Sequence, residues 1–396
     1  MATDGLVGIL TSRPVRLVLY VALLVYGFTV FRGIAVKDKQ WDLRTYYYAA
    51  LVHSLGGDPY DTESLSQAAG QKIEFPYVYP PVTLYLFRPL LLLDYRTCYA
   101  VFLVLKLAAL ALLVRLWVKF LKPDRSYGLL LLLFCFFAFR KALIRDLNAG
   151  NISCFEQVLV WAAAFCFLRG RPLSFSLLIA GSALFKFTSI ALLAIPLAER
   201  GRKWLVSTIS VASGFLLVNA ASYVAGPRLY RGFISNALAL DERGKVNPSS
   251  LALIRDGLSR IADPVSASLP NLDHAVYALL LAGLALAAYA AVRWIEPARR
   301  RSDFMIFCFF VYALAAPRFK DYSYMLLIVP SLYVIRHAIK SLIGKALASL
   351  LVCFYLFTYQ PLVAAAVLLV VFLRHFMTAA RGGPQSKVGL EPDSRC

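Results

Sequence analysis

The sequence predicts an all-α polytopic membrane protein that crosses the bilayer about twelve times, with juxtamembrane helices in a large first outer loop. Three observations carry that reading. Of 396 residues, 60% are hydrophobic and only 16% are charged, whereas soluble globular domains hold roughly 45–50% and about 25%. Mean hydropathy is +0.67. The apolar residues gather in separate runs near 15–36, 98–118, 127–139, 153–168, 173–185, 187–198, 204–226, 274–295, 304–316, 323–335, 346–359 and 361–373. This composition excludes a water-soluble enzyme, a disordered chain and a disulfide-stapled secreted domain.

The first run follows Arg13 and Arg16 and continues through Ile34–Val36 without a small-x-small cleavage site, so an uncleaved first transmembrane helix is expected. Several later runs hold only about 13–16 residues, short for a hydrocarbon core about 30 Å thick. Such helices span if the bilayer thins, if flanking side chains snorkel, or if they pack inside a bundle. Pairs of runs abut at Phe185-Lys186-Phe187, at Pro317 to Tyr322 and at Gln360-Pro361, each expected to be a sharp return at one membrane face. Segment 81–93 carries Arg88 between Pro81 and Pro89 and is expected to lie on the outer face as a juxtamembrane or re-entrant helix.

Charge then sets the orientation. With the N-terminus cytoplasmic, the basic clusters Lys119/Lys122/Arg125, Arg169/Arg171, Arg200/Arg202/Lys203, Arg299/Arg300/Arg301, Arg336/Lys340/Lys345 and Arg374/Arg381 all fall on the cytoplasmic side. Both termini are cytoplasmic in this threading, in a cell (inner or plasma) membrane. Segments 37–97 and 227–273 become the large outer loops, with short polar breaks near 140–152, at Lys186 and at 317–322. Loop 227–273 is the least apolar long stretch and is expected to carry short helices. Residues 1–380 read as one domain, and 381–396, with Gly382, Gly383, Pro384 and Pro392, as a disordered tail.

Lys and Arg number 42 against 22 Asp and Glu, a net charge of +20. The positive-inside rule absorbs most of that surplus. The basic residues left on outer segments suit an anionic partner such as a lipid phosphate. Aromatic and basic residues do not interleave as a base-stacking surface requires, so nucleic acid is not an expected partner. The 7 cysteines contain no C-x-x-C, which signals neither a zinc site nor a disulfide framework. His53, His274, His337 and His375 are dispersed, with no H-x-x-H, Gly-rich phosphate loop or G-x-S-x-G. Metal and nucleotide chemistry are therefore not signalled, and a donor substrate is expected to be membrane-borne.

Polar residues at membrane depth are functional candidates by default. Asp42 follows the first run, flanked by Trp41 and by Tyr46, Tyr47 and Tyr48. An aromatic-walled, partly dry carboxylate can serve as a general base; an interfacial aromatic belt with a solvated acid is the other reading. Asp58 and Asp61 sit in a Gly56-Gly57-Asp58-Pro59-Tyr60-Asp61 turn and are expected to cap or turn the chain, with catalysis the alternative. Phe75 to Pro81 offers aromatic surface to sugars or to lipid headgroups. The 140–151 segment holds Arg140, Lys141, Arg145, Asp146, Asn148 and Asn151, with Glu156 and Gln157 beyond it. Lys186, alone in an apolar run, needs an anion: a carboxylate such as Glu156 or Asp146, or a lipid phosphate. Arg318, Lys320 and Asp321, followed by Tyr322 and Tyr324, form a third cluster. Cations that converge on a leaving phosphate would stabilise the departing charge.

The ordered series of short motifs resembles the GT-C membrane glycosyltransferases, specifically glycosyltransferase family 87, which includes polyprenyl-phosphate-mannose-dependent α-mannosyltransferases. The resemblance runs through Trp41-Asp42 with Tyr46-Tyr47-Tyr48-Ala49-Ala50, then Gly57-Asp58-Pro59-Tyr60, Phe75 to Pro81 and Arg88-Pro89-Leu90. It continues through Gly181 to Pro196 with Lys186 inside, Asn247/Ser249/Ser250/Leu251, and Ala316-Pro317 through Asp321 and Tyr324. Tyr322 stands where the family commonly has a histidine, and Gly150-Asn151 meets its G-Q-x-N-like element loosely. The resemblance implies a GT-C-type bundle and transfer of a hexose from a polyprenyl phosphate to a lipid or glycan acceptor on the extracytoplasmic face. Asp42 would be the general base of an inverting single displacement. Lys186, Arg145, Arg318 and Lys320 would hold the donor phosphate. Trp41, Tyr46, Tyr47, Asp58, Tyr79, Asn151, Asn247, Asp321 and Tyr322 would contact sugar or acceptor. No metal and no obligatory cofactor are expected.

Two other functions share the apolar bulk and buried cations. A transporter or flippase of lipid-linked sugars would place its polar groups near the midplane and often shows repeat symmetry, of which the sequence has no convincing trace. A structural or assembly subunit would not need Asp42 beside converging cations.

Overall fold

Long apolar segments satisfy their backbone groups internally by coiling, and every regular element among the described residues is a helix. The computed structural model describes residues 12–37, 40–122, 125–199, 201–261, 271–295 and 300–381. The expected disordered tail, apart from Arg381, and the basic residues Arg200 and Arg299 lie outside them. The helices are α1 (Arg13–Lys37), α2 (Trp41–Ser54), α3 (Thr62–Ala69), α4 (Val82–Phe87), α5 (Tyr95–Leu121), α6 (Arg125–Ala149), α7 (Ser153–Leu168) and α8 (Pro172–Phe185). They continue as α9 (Arg202–Ala225), α10 (Pro227–Ala239), α11 (Ser250–Ile261), α12 (Leu272–Ile295), α13 (Arg301–Ala315), α14 (Ile328–His337), α15 (Leu342–Cys353) and α16 (Gln360–Arg381). Segments Arg88–Leu92, Phe187–Glu199 and Asp321–Leu327 are 3₁₀ helices.

Among the described residues, six helical stretches are long and apolar enough to cross a membrane: Arg13–Ser54, Tyr95–Leu121, Tyr127–Ala149, Arg202–Ala225, Leu272–Arg293 and Gln360–Thr378. Five shorter apolar helices accompany them, including Val82–Leu92 and Phe187–Glu199. Leu17, Leu24, Phe28, Leu216, Leu217, Leu279 and Leu286 each expose more than half of their surface. So much outward-facing aliphatic surface is stable in lipid and not in water. The chain is embedded in a membrane.

The chain forms two compact units. One takes the residues up to Val158 together with Asn219–Leu240; the other takes Leu159–Val218 and the residues from Asp241 onward. In the first unit α2 is central, touching α3, α4, α5, α6 and the 88–92 turn, while α1 packs on α6. In the second, α16 packs against α12, α13, α14 and α15, over a core that includes Phe307, Phe309, Phe310, Tyr324 and Leu326.

Side-chain caps place several ends. Asp94 accepts the N–H groups of Arg96 (3.0 Å) and Thr97 (3.1 Å) to start α5, and Asp61 accepts those of Glu63 and Ser64 to start α3. Among its described residues, segment 227–273 carries two short helices, α10 and α11, as its composition predicts.

Three segments differ from expectation. The polar stretch 140–152 is not an open loop. The backbone leaves the helix at 138–141, where Phe139, Arg140 and Lys141 have positive φ, and residues 142–149 are helical again. Their apolar side chains Ala142, Leu143, Ile144 and Leu147 are buried and hold that turn pair in place. The run 346–359 stops at Cys353, and the break covers 354–359. Gln360 closes it by donating to the carbonyls of Leu351 (2.7 Å) and Phe354 and accepting from the Leu356 N–H (2.5 Å). Segment 187–199 is 3₁₀, with Pro196 inside it.

Candidate active site

Asp42 occupies the second position of α2, in the first turn, where free N–H groups favour negative charge. It is buried, at 9% exposure. Its Oδ2 accepts from Asn151 Nδ2 at 2.6 Å. The orientation of the Asn151 amide follows from its other end, because Oδ1 accepts both the Ser153 N–H (2.9 Å) and the Ser153 hydroxyl (2.6 Å). Nδ2 must therefore face the carboxylate. The same Nδ2 reaches the Tyr46 hydroxyl at 3.1 Å and the Tyr79 hydroxyl at 3.5 Å, and the two phenols lie 2.8 Å apart. Tyr46 is one helical turn after Asp42 and so shares its face of α2. Its ring stacks on Phe87 and meets Tyr79 edge-on.

The segment that presents Tyr79 is tied down along its length. Thr45 donates to the Phe75 carbonyl (3.3 Å), Tyr60 to the Tyr79 carbonyl (2.8 Å), and Asn236 of α10 to the carbonyls of Tyr60 (2.8 Å) and Tyr77 (3.1 Å). Burial, with Asp58 beside it, raises the Tyr60 phenol well above its usual pKa, so it donates throughout the physiological range.

Gly150 makes the turn before Asn151. Its φ is +64°, and a Cβ there would sit 2.5 Å from Gln40 Cβ and 3.1 Å from Gln40 Cα. Gly150→Ala is expected to cost about 2 kcal/mol or more, from the left-handed backbone and the overlap together. Gly150→Asn should be no milder, since asparagine eases only the first. Thermal unfolding in detergent checks both, and an unchanged midpoint for Gly150→Asn would show that the overlap relaxes.

Lys106 is wholly buried beneath this turn. Its Nζ lies 2.6 Å from Asp146 Oδ2 and also donates to the carbonyls of Asp146 (3.0 Å) and Asn151. Asp146, one of the two carboxylates considered for Lys186, thus has Lys106 as its ion-pair partner.

In the second unit, Lys186 links α8 to the following 3₁₀ helix in an extended conformation. Its Nζ donates to the Ser323 hydroxyl at 3.1 Å and lies 5.6 Å from the centre of the Tyr322 ring. Lys320 Nζ lies at the same 5.6 Å from that ring. Lys320 also pairs with Glu242 Oε1 at 2.7 Å, and Arg318 places Nε (2.9 Å) and Nη2 (2.7 Å) on Glu242 Oε2. Burial pushes the Glu242 carboxyl up, but Lys320 and then Arg318 outweigh it, so its pKa lies below the ordinary value and the group stays ionised at neutral pH.

Loop 247–250 is stapled to the segment beneath it. Phe319 N–H donates to Asn247 Oδ1 (2.9 Å), Asn247 Nδ2 to the Glu242 carbonyl (2.9 Å), Ser249 to Pro317 O, Ser250 to Leu314 O and Tyr324 to Pro248 O (each 2.7 Å). The N-x-S-S element therefore seats the cation cluster. An apolar cavity of about 480 Å³ begins beside it, lined by residues that include Phe187, Thr188, Val292, Val311, Ala316 and Pro317.

The structure thus brings Asp42, Tyr46, Tyr79 and Asn151 together in one unit, and Lys186, Arg318, Lys320 and Tyr322 together in the other. Other expected residues have different surroundings. The Tyr47 hydroxyl donates to the Leu93 carbonyl (2.9 Å) and its ring packs on Tyr48 and Tyr95. Asp58 accepts the Tyr60 N–H (3.0 Å) and faces Arg228 at 3.7 Å. Asp321 is buried and accepts the Tyr322 N–H (2.9 Å). Trp41 and Arg145 are half-buried, Arg145 on the helical turn that carries Asp146. Sequence reasoning missed Lys106 and Glu242. The argument applied to Lys186, a lysine isolated in an apolar run, singles out Lys106 equally; Glu242 carries no local signal.

A family model matches most of the chain. Glycosyltransferase family 87 matches residues 77–317, a span that contains Tyr79, Lys106, Arg145, Asn151, Lys186, Glu242 and Asn247, with Asp42 before it and Arg318, Lys320 and Tyr322 after it. Comparison with curated proteins finds no match. With more than half of its length matched, and with its helices built for lipid, the chain belongs to glycosyltransferase family 87 and is a membrane glycosyltransferase.

Proposed function

We propose that the protein transfers a hexose, mannose by family resemblance, from a polyprenyl-phosphate donor to a lipid or glycan acceptor on the extracytoplasmic face of the cell membrane. The observation that carries this reading is the buried Asp42 carboxylate held at 2.6 Å by an amide of fixed orientation inside a wall of tyrosines. A carboxylate so placed accepts the proton of an acceptor hydroxyl as that oxygen attacks the anomeric carbon. The new C–O bond forms while the bond from the anomeric carbon to the phosphate oxygen breaks, through an oxocarbenium-like transition state. Asp42 is met by the Asn151 amide, which itself reaches the Tyr46 and Tyr79 phenols, surroundings that support one displacement with inversion over a two-carboxylate, retaining route.

The second cluster suits the other half of the substrate. Lys186, Lys320 and Arg318 offer charge-assisted hydrogen bonds to a phosphate, and the adjoining 480 Å³ apolar cavity has the size and lining of a ligand pocket. Arg145 is a further phosphate candidate, and Trp41, Tyr46, Tyr79 and Tyr322 offer rings and hydroxyls to sugar or acceptor. These cations carry the leaving charge without an obligatory metal. The reading includes a twelve-span threading with cytoplasmic termini and outer loops 37–97 and 227–273.

Glu242 opposes an incoming phosphate, because it already occupies Lys320 and Arg318. Glu242→Gln keeps the side-chain shape and removes that charge. Donor KM is expected to fall at least about fivefold, since like charges facing each other in such a site cost more than ~1 kcal/mol. A rise in donor KM would instead make Glu242 a scaffold for the two cations.

The reading is tested with purified protein in proteoliposomes, given hexose-labelled polyprenyl phosphate, nucleotide sugar as the control donor, and lipid and glycan acceptors. Label is expected to pass to acceptor from the lipid-linked donor. Transfer from the nucleotide sugar alone, or movement of the labelled donor across the bilayer without transfer, would overturn it, the latter in favour of a flippase.

A further inference from the structure

Lys106 lies midway along α5, in a stretch apolar enough to span the membrane, and none of it is exposed. A buried ammonium is tolerated when its charge and its three N–H groups are all met. Here they are met by three oxygens from one short stretch: Asp146 Oδ2 (2.6 Å), the Asp146 carbonyl (3.0 Å) and the Asn151 carbonyl. Those oxygens stand at the two ends of the turn that passes through Gly150 at φ +64°. A lysine needed only to fill a gap or balance one carboxylate would not have to reach both ends of a turn. The residue at the far end, Asn151, is the one whose side chain grips Asp42.

We infer that Lys106 is a positioning residue for the transfer reaction: it pins the Asp146–Asn151 turn so that Asn151 holds the Asp42 carboxylate in a single orientation. The inference rests on Asp42 being the base. It assigns Lys106 no contact with substrate. Lysine suits the task better than arginine, because a compact ammonium can direct three donors to three converging oxygens, whereas a planar guanidinium spreads its donors in a fixed fork.

Two variants of the full chain, purified in lipid, test this. Lys106→Arg keeps the charge opposite Asp146 but cannot reproduce the three-way contact. Lys106→Met combined with Asp146→Asn removes both charges, so that neither is left buried alone. Each is expected to lower kcat about tenfold or more, since small displacements of a reacting group have effects of that size. Donor KM should change far less than kcat, because Lys186, Lys320 and Arg318, the main proposed phosphate ligands, are left unchanged. Adding Asn151→Ala to either should cost little further, because both changes loosen the same carboxylate. A purely structural lysine would reduce the yield of folded protein and leave the kcat of the folded fraction unchanged.

If the double variant does not fold, Lys106→Arg decides alone. Wild-type kcat in the folded protein, or losses that multiply with Asn151→Ala, overturn the inference. Asp42→Asn runs in the same assay. If it is inactive while the Lys106 variants match wild type, only the positioning role falls. If it is fully active, the role and the reading beneath it fall together.

Discussion

Asp42→Asn is expected to lower kcat by about 10²–10⁴-fold, the range for loss of a general base, while the donor still binds. Asparagine matches the shape of aspartate and can still accept the Asn151 Nδ2 hydrogen bond through its own oxygen. What it cannot do is take a proton from the acceptor hydroxyl. The loss should therefore fall on kcat and on kcat/KM alike, the signature of an interaction made in the transition state. Steady-state kinetics with the lipid-linked donor, paired with a measurement of bound donor, checks this. Wild-type turnover in the variant would remove Asp42 from the chemistry.

Lys186→Ala is expected to act on the other half of the reaction. The lysine bonds Ser323 and lies over Tyr322, which Lys320 also faces. A hydrogen bond to a charged group is worth ~1.5–3 kcal/mol, so donor KM should rise by about 10- to 100-fold. The acceptor KM should move far less. The ratio of the two effects carries the information: equal losses for donor and acceptor would mean that Lys186 only ties the 185–187 break to Ser323.

Much of the fold was legible because lipid imposes a simple rule. Apolar runs near 98–118, 173–185, 204–226 and 274–295 became α5, α8, α9 and α12 with ends shifted by a few residues. The returns at Lys186 and at 317–322 are where the sequence puts them, since a charge flanked by aromatics or a proline with basic neighbours cannot continue an apolar helix. Hydropathy does not separate an α-helix from a 3₁₀ helix, so the form of 187–199 was hidden. It also misreads a polar stretch whose charges find partners. Residues 142–149 look like a loop because Asp146 and Arg145 are charged, yet Lys106, forty positions earlier in the chain, absorbs the cost of burying Asp146.

The site was legible residue by residue and not as pairs. Trp41-Asp42 followed by tyrosines marks a candidate carboxylate, and Asn151 stands out in a polar break. Nothing local states that Asn151 Nδ2 meets Asp42 from 109 positions away. The pairing of Glu242 with Arg318 and Lys320 is hidden for the same reason, because an acid beside Asp241 and Arg243 in a polar loop looks like any solvated side chain. Asn247 is a further case. The resemblance makes it a ligand contact, and its amide also joins two backbone groups, the Phe319 N–H and the Glu242 carbonyl, which no local signal states.

The claim that one carboxylate drives one displacement is tested most directly by the anomeric configuration of the product. Purified protein would be given a polyprenyl-phosphate hexose of known anomeric configuration, and the glycosidic carbon of the product read by nuclear magnetic resonance. The expected result is the opposite configuration to the donor. A product that keeps the donor configuration would require a second nucleophile and would contradict the role given to Asp42.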